Sequence, residues 1–254
     1  MYRVYGVGGE MIDFLCIGAQ KSGTTLLYEH LSEIDEVCLP SKKELHFFDN
    51  DMNYSKGKDF YSKYYICSKE EQIKGEITPA YLFFKKVPRR IYETIESKDL
   101  KFVVLLRNPI DRAYSQYNMS KNIQKHESYT FEQALIFERY RMKEYYDEIN
   151  YSYLQRGFYS KQILNYFKYF KKEMFKFILF EEFVSKQEFY INDILKFIRG
   201  EGAYYDIKNK KVFSNKYQPM KKSTREILYE IYKDEITLLE NICDIDLNSW
   251  REGI

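Results

Sequence analysis

The sequence lacks an excess of charge of either sign. Its 254 residues include 40 Lys and Arg against 38 Asp and Glu, which gives a net charge of +2 at neutral pH. Proteins that bind polyanions through their overall charge carry a marked basic excess. We therefore expect anion recognition to be local and expect no nucleic acid partner. Aromatic residues make up 18% of the chain and recur throughout it, a distribution typical of amphipathic packing rather than of a stacking surface.

The sequence also lacks the segments that would place it in or across a membrane. No apolar run reaches about eighteen residues, and residues 1–10 lack the charged-then-apolar pattern of a signal peptide. These absences predict a cytoplasmic protein without a transmembrane segment. The four cysteines include no C-x-x-C pair, so the sequence implies no metal site, and Cys16 is expected to be buried in an apolar strand.

The chain has little that would divide it into separate domains. We find no linker, internal repeat or low-complexity segment, and 44% hydrophobic content can form a sizeable core. The sequence predicts a single domain over residues 1–254, in which residues 1–10 are expected to be disordered or added sequence. The oligomeric state is not determined by the sequence.

The most informative motif present is the segment from Gly18 to Thr25, which reads GAQKSGTT. It keeps the glycine spacing of the nucleotide-binding P-loop, G-x-x-x-x-G-K-[ST], but Lys21 lies between the glycines and Thr24 occupies the usual lysine position. An apolar run precedes the motif, and a helical pattern begins at Thr24. Since a helix N-terminus presents unpaired N–H groups and a positive dipole, this segment predicts an anion-binding loop.

This loop resembles the 5′-phosphosulfate loop of sulfotransferases that use 3′-phosphoadenosine 5′-phosphosulfate (PAPS), which has the form G-x-x-K-[ST]-G-T-[ST]. A second segment, RNPIDRAYS from Arg107 to Ser115, resembles the 3′-phosphate element R-x-P-x-x-R-x-x-S of the same family. The resemblance implies PAPS as donor and 3′,5′-adenosine diphosphate (PAP) as product, with no metal required. The expected donor-binding residues are Gly18, Gln20, Lys21, Ser22, Gly23, Thr24, Thr25, Arg107, Ser115, Tyr159 and Lys216.

The segment from Lys42 to Asp49, KKELHFFD, resembles the K-E-x-H-F-F-D segment of sulfotransferases that act on heparan sulfate and of their bacterial relatives. The resemblance implies that Glu44 is the general base and that His46 and Asp49 lie near the acceptor. Whether Glu44 or His46 is the base stays open at this stage. The expected catalytic residues are Lys21, Glu44 and His46, and the expected acceptor-binding residues are Glu44, His46, Asp49 and Tyr81.

The segment from Gly75 to Tyr81, GEITPAY, resembles the family's G-E-K-[ST]-P-x-Y stretch. Ile77 replaces a lysine that the glycan enzymes place near donor and acceptor, which leaves the acceptor open. The resemblance favours a hydroxyl or amine on a carbohydrate or glycolipid.

Two other functions are weighed against the transfer of a sulfuryl group by an in-line reaction. A Mg²⁺-dependent P-loop kinase or NTPase would use the apolar run ending in Glu181 and Glu182 as its metal-holding strand. A nucleotide-binding module without turnover would keep the fold alone. The displaced Lys21 argues against the kinase, and the presence of both Lys21 and Glu44 argues against the inactive module.

Alternating apolar runs and helical patterns predict an α/β fold, in which a three-layer open parallel sheet carries a P-loop and has helices on both faces. The predicted strands cover residues 12–17, 73–77, 101–106 and 175–180. The predicted helices cover residues 24–34, 86–97 and 109–123, lie within 130–149 and 157–172, and make up most of the remaining chain. Asn108 is expected to cap the helix that Pro109 begins.

Overall fold

The computed structural model describes residues 12–67, 69, 72–97, 99–200, 204–211 and 217–252. Residues 1–10 and Lys216, on which two of the sequence predictions fall, lie outside the described residues. The described chain forms two compact units, one within residues 1–106 and 165–213 and the other within residues 107–164 and 214–254. The prediction of a single domain stays a prediction.

The first unit contains one parallel sheet of five strands in the order β2-β3-β1-β4-β5. The strands are β1 (Phe14–Gly18), β2 (Val37–Cys38), β3 (Ile73–Ile77), β4 (Lys101–Leu106) and β5 (Phe175–Leu179). Each neighbouring pair is parallel, and Cys16 of β1 is in register with Ile77 of β3 and Val103 of β4. Parallel strands need crossover connections, which the intervening helices provide.

The helices follow the predicted order, with small shifts at their ends. They are α1 (Thr24–Leu31), α2 (Asp51–Tyr54), α3 (Lys58–Ser62), α4 (Val87–Thr94), α5 (Pro109–Asn118), α6 (Phe131–Arg141), α7 (Tyr145–Tyr151), α8 (Tyr159–Tyr166), α9 (Phe180–Ser185), α10 (Gln187–Arg199) and α11 (Lys222–Cys243). The predicted helix over 109–123 is α5 followed by a π-helical turn over Met119–Ile123. The sequence prediction missed β2, α2 and α3, which are too short to show a periodic pattern.

The sheet is packed on both faces within the first unit. On one face, side chains of β1, β4 and β5 form a buried core with α1, α9 and α10. On the other face, Phe102 of β4 packs on Phe170, which contacts Tyr92 of α4. Because both faces are covered, the strands are apolar along their length rather than alternating. The predicted three-layer α/β class is confirmed.

A disulfide joins Cys38, at the end of β2, to Cys67 across 29 positions of sequence. The loop that it closes contains the whole segment from Lys42 to Asp49. Cys16 and Cys243 are free and buried, as expected for Cys16. The sequence analysis did not predict this pairing, because spacing alone does not show which cysteines meet in space.

The second unit is helical and includes α5, α6, α7 and α11. Asn108 accepts a hydrogen bond from the Ile110 N–H at 3.0 Å and Pro109 is the first residue of α5, so the predicted helix start is confirmed. Arg112 is fully buried and donates to Gln116 Oε1 at 2.8 Å and to the Tyr153 carbonyl. This second arginine of the R-x-P-x-x-R element therefore stabilises the unit from inside.

No helix in the described parts of the chain is long and apolar enough to cross a bilayer.

Candidate active site

The segment from Gly18 to Thr25 connects β1 to α1, as the sequence predicts. A Cβ atom on Gly18 would lie 2.7 Å from the Cβ of Leu82, so only glycine fits this close approach. Gly23 has φ +87°, in the left-handed region, and a Cβ there would lie 2.9 Å from the Phe180 ring. Both glycines are therefore required by the backbone geometry of the loop.

The N-terminus of α1 is suited to an anion. Gly23 is its N-cap, no side chain caps it among the described residues, and its first turn contains no acidic residue. Its first N–H groups and dipole are thus directed to the space before the helix. Lys21, with φ +70°, contributes a cation to the same turn.

Two buried polar atoms of this loop support a ligand site. Gln20 Oε1 and Ser22 Oγ have no hydrogen-bond partner within the described residues. Buried polar atoms in folded proteins are almost always hydrogen-bonded. A phosphate oxygen would accept a hydrogen bond from the Ser22 hydroxyl, whereas the Gln20 oxygen is itself an acceptor and needs a donor as its partner. The loop therefore fits the 5′-phosphosulfate group that its sequence implies.

The segment from Lys42 to Asp49 brings the predicted base and its neighbours together. His46 Nδ1 lies 2.8 Å from Asp49 Oδ2, and His46 Nε2 lies 3.4 Å from Glu44 Oε2. The segment is irregular and His46 has φ +50°, so the two-residue period of a strand is not what brings Glu44 and His46 together. The imidazole lies between two carboxylates, of which Asp49 is fully buried and Glu44 is partly exposed.

This arrangement separates the protonation states of the two candidate bases. Burial lowers the pKa of His46, but hydrogen bonds to Asp49 and Glu44 outweigh it and raise the pKa to about 9. Burial raises the pKa of Glu44, yet the His46 hydrogen bond and the Lys43 charge outweigh it and leave that pKa below its ordinary value. These shifts favour a protonated His46 and an ionised Glu44 at neutral pH, and of the two groups only an ionised Glu44 could accept a proton.

Lys43 is a site residue that the sequence analysis missed. Its ammonium lies 3.3 Å from Thr25 Oγ1 at the start of α1 and 3.4 Å from Glu44 Oε1. It thus links the anion-binding loop to the carboxylate of the neighbouring segment. The available signal was its position directly before Glu44 in the sequence. No local pattern distinguishes a lysine that contacts the anion-binding loop from a solvated lysine.

Tyr81 is fully buried, and its hydroxyl bonds to groups inside the protein. It accepts hydrogen bonds from the backbone N–H groups of Phe47 at 3.0 Å and Phe48 at 3.4 Å, and it donates to Glu76 Oε1 at 2.6 Å. These partners tie the hydroxyl to the backbone of the segment from Lys42 to Asp49, here called the catalytic segment. The acceptor contact that the resemblance implied for Tyr81 stays a prediction. Ile77 is also buried, as the last residue of β3.

The remaining predicted donor residues belong to the second unit. Arg107 follows β4 directly and is partly buried, and Ser115 lies on α5. Tyr159 is buried and donates from its hydroxyl to the Arg107 carbonyl at 3.0 Å. Tyr159 therefore helps to fix the backbone of Arg107.

The structure does not place Glu181 and Glu182 at the end of a strand, where a Mg²⁺-dependent kinase would need them. β5 ends at Leu179, so Glu181 and Glu182 lie in the first turn of α9, where both are exposed. Within the described residues, no group of three or more His, Cys, Asp or Glu side chains could hold a metal ion.

Several curated proteins similar to this chain are heparan sulfate enzymes. It is 32% identical over 166 residues to heparan sulfate glucosamine 3-O-sulfotransferase 5 of Mus musculus, covering 65% of the chain and 46% of that protein. The same enzyme of Homo sapiens is 31% identical over 175 residues, covering 68% of the chain and 49% of that protein. The chain thus spans about half the length of the curated relatives that it matches.

Solved structures show the same likeness. A sulfotransferase from Alicyclobacillus acidocaldarius has a TM-score of 0.82 and 29% identity, covering 97% of this chain and 100% of that one. Mouse sulfotransferase SULT7A1 complexed with PAP shares the fold, with a TM-score of 0.50 and 17% identity over 75% of this chain and 59% of that one. The family description "Sulfotransferase domain" matches residues 11–228. The chain belongs to the sulfotransferase family.

Proposed function

We propose that the protein transfers a sulfuryl group from PAPS to an acceptor hydroxyl or amine on a carbohydrate or glycolipid. The observation that carries this proposal is the placement of the Glu44 carboxyl group, through Lys43, beside the anion-binding loop of a sulfotransferase-family chain. Heparan sulfate enzymes among the relatives support a carbohydrate acceptor.

In this proposal PAPS supplies an activated sulfuryl group. Ser22, Thr24, Thr25 and the first N–H groups of α1 bind its 5′-phosphate. Lys21 stabilises negative charge that grows on the leaving oxygen, and a lysine with a helix N-terminus can do so without Mg²⁺. Arg107 and Ser115 are proposed to bind the 3′-phosphate, as the resemblance implies.

Glu44 acts as the general base. The acceptor O–H or N–H bond breaks and its proton passes to the Glu44 carboxylate, while the acceptor atom bonds to sulfur. The bond from sulfur to the phosphate oxygen breaks, and PAP leaves. His46, held as a cation between Asp49 and Glu44, orients the base and stabilises its charge.

The compartment is a separate question. A cytoplasmic location stays a prediction. Disulfides such as that between Cys38 and Cys67 persist mainly in oxidising compartments. The oxidation state of these two cysteines in the native cell would therefore test the cytoplasmic prediction, and an oxidised pair would count against it.

Calorimetric titration tests the donor site directly. The purified protein is titrated with PAP in EDTA, and in parallel with 5′-AMP and with ATP plus Mg²⁺. We expect metal-independent binding of PAP that is much weakened without the 3′-phosphate. Preference for Mg²⁺-ATP would refute the proposal in favour of a kinase. Screening of sugar acceptors with PAPS then separates an active enzyme from a binding module.

A further inference from the structure

A buried carboxylate lies behind the catalytic segment and has no part in the chemistry proposed above. Glu76 of β3 is 1% exposed and accepts hydrogen bonds from three hydroxyls. Thr78 and Tyr81 donate to its Oε1, each at 2.6 Å, and Tyr61 donates to its Oε2 at 2.5 Å. Burial raises the pKa of Glu76 to about 7, and these hydrogen bonds limit the rise.

Two of the three hydroxyls also hold the backbone of the catalytic segment. Thr78 Oγ1 accepts the N–H of Leu45 at 3.3 Å. The Tyr81 hydroxyl accepts the N–H groups of Phe47 at 3.0 Å and Phe48 at 3.4 Å. These N–H groups lie within two residues of His46, and the side chains of Leu45, Phe47 and Phe48 are buried.

The direction of these hydrogen bonds depends on the carboxylate. A hydroxyl has one proton, so a hydroxyl that donates to Glu76 presents its lone pairs to the N–H groups of the segment. Without an acceptor at position 76, the hydroxyl protons would turn towards other partners and compete with the N–H groups. Networks of this kind are stable only when every member is satisfied.

We infer that Glu76 is a positioning residue that acts through Thr78 and Tyr81 to hold Glu44 and His46 in their reactive geometry. This inference rests on the proposed function for its effect on catalysis. A displacement of about 1 Å caused away from the reacting atoms can lower a rate by about 100-fold. We therefore expect loss of the network to lower kcat by about 10- to 100-fold and to leave PAP affinity unchanged, because the anion-binding loop is not part of it.

Two tyrosine variants form a matched test. Tyr81→Phe removes the hydroxyl that bonds Phe47 and Phe48. Tyr65→Phe removes a hydroxyl at the outer end of the same network, 3.1 Å from the Tyr61 hydroxyl and bonded to it rather than to the segment. We expect a lowered kcat and an unchanged acceptor KM in Tyr81→Phe, and a kcat within about threefold of wild type in Tyr65→Phe. A raised acceptor KM with unchanged kcat would return Tyr81 to acceptor binding and overturn the inference.

Two variants of the carboxylate test the same idea. Glu76→Met removes the acceptor while keeping most of the volume. Glu76→Gln keeps an oxygen for Thr78 and Tyr81, and its NH₂ group can donate to the Tyr61 oxygen, so it should restore most of the activity lost in Glu76→Met. If Glu76→Met does not fold, the two tyrosine variants carry the test alone.

The titration of His46 by NMR gives a readout that needs neither donor nor acceptor. The chain has three histidines, and His30 is distinct because burial lowers its pKa. We expect the pKa of His46 to fall from about 9 towards its ordinary value in Tyr81→Phe, and to stay unchanged in Tyr65→Phe.

The outcomes separate the inference from the proposed function. Unchanged kcat in Tyr81→Phe, or lowered kcat with an unchanged His46 pKa, would overturn the inference. Failure of the proposed function would instead appear as a wild-type protein that does not bind PAP, and the titration would still decide the role of the network.

Discussion

Removal of the Cys38–Cys67 disulfide should destabilise the protein by an amount that follows from its position. The bond closes a loop across 29 positions of sequence. The chain-entropy relation for a loop of about 30 residues gives a loss of about 3.6 kcal/mol in the free energy of unfolding at 25 °C. For a chain of this length, that loss corresponds to a decrease of about 7–14 °C in Tm. The same loop contains Glu44 and His46, so activity should fall with stability.

The assay compares the wild type with a Cys38→Ala, Cys67→Ala double variant in urea and in thermal unfolding. Alanine avoids leaving a hydroxyl unpaired at the buried position 38. Dithiothreitol should destabilise the wild type by a similar amount and leave the double variant unchanged, because Cys16 and Cys243 are already free. A difference below about 1 kcal/mol between the oxidised wild type and the double variant would refute the reasoning.

Four further predictions concern the site. Lys21→Ala should lower kcat more than it weakens PAPS binding, because its charge is needed most in the transition state; full turnover would exclude that role. Glu44→Gln should bind PAP normally and lose about 10²–10⁴ in kcat, whereas an unaltered rate would assign the base elsewhere. Arg107→Ala should weaken PAP more than 5′-AMP in calorimetry, and equal losses would contradict a 3′-phosphate contact. His46 has a pKa of about 9 in the folded protein against 6.5 ordinarily, so its protonation stabilises the fold below about pH 6.5, and this stabilisation is lost as the pH rises towards 9. Denaturant titrations at several pH values should show that loss of stability in the wild type and not in His46→Gln. The same pH dependence of the free energy of unfolding in both proteins would contradict the prediction.

Much of the fold could be predicted because its signals are local. The strand over 101–106 was predicted with the bounds that the structure gives, and the strand predicted near 73–77 is β3. The cap of α5 was also predicted, since Asn before Pro has a strong preference at a helix start. The ends of elements were predicted less accurately. The helix predicted to reach residue 34 ends at Leu31, where Ser32 bonds back to the Glu29 carbonyl.

The sequence by itself determined the parallel α/β architecture and the anion-binding loop, because apolar periodicity and glycine spacing act within a few residues of the chain. Its motifs also carried the resemblance to the family. Only the tertiary structure decided which groups meet across long separations. It paired Cys38 with Cys67, placed Lys43 between Thr25 and Glu44, and buried the Tyr81 hydroxyl on Glu76. It also placed His46 between two carboxylates, which favours Glu44 as the base. Such contacts depend on how strands and loops pack together, and the charge that one group feels from another depends on their distance in space rather than along the chain.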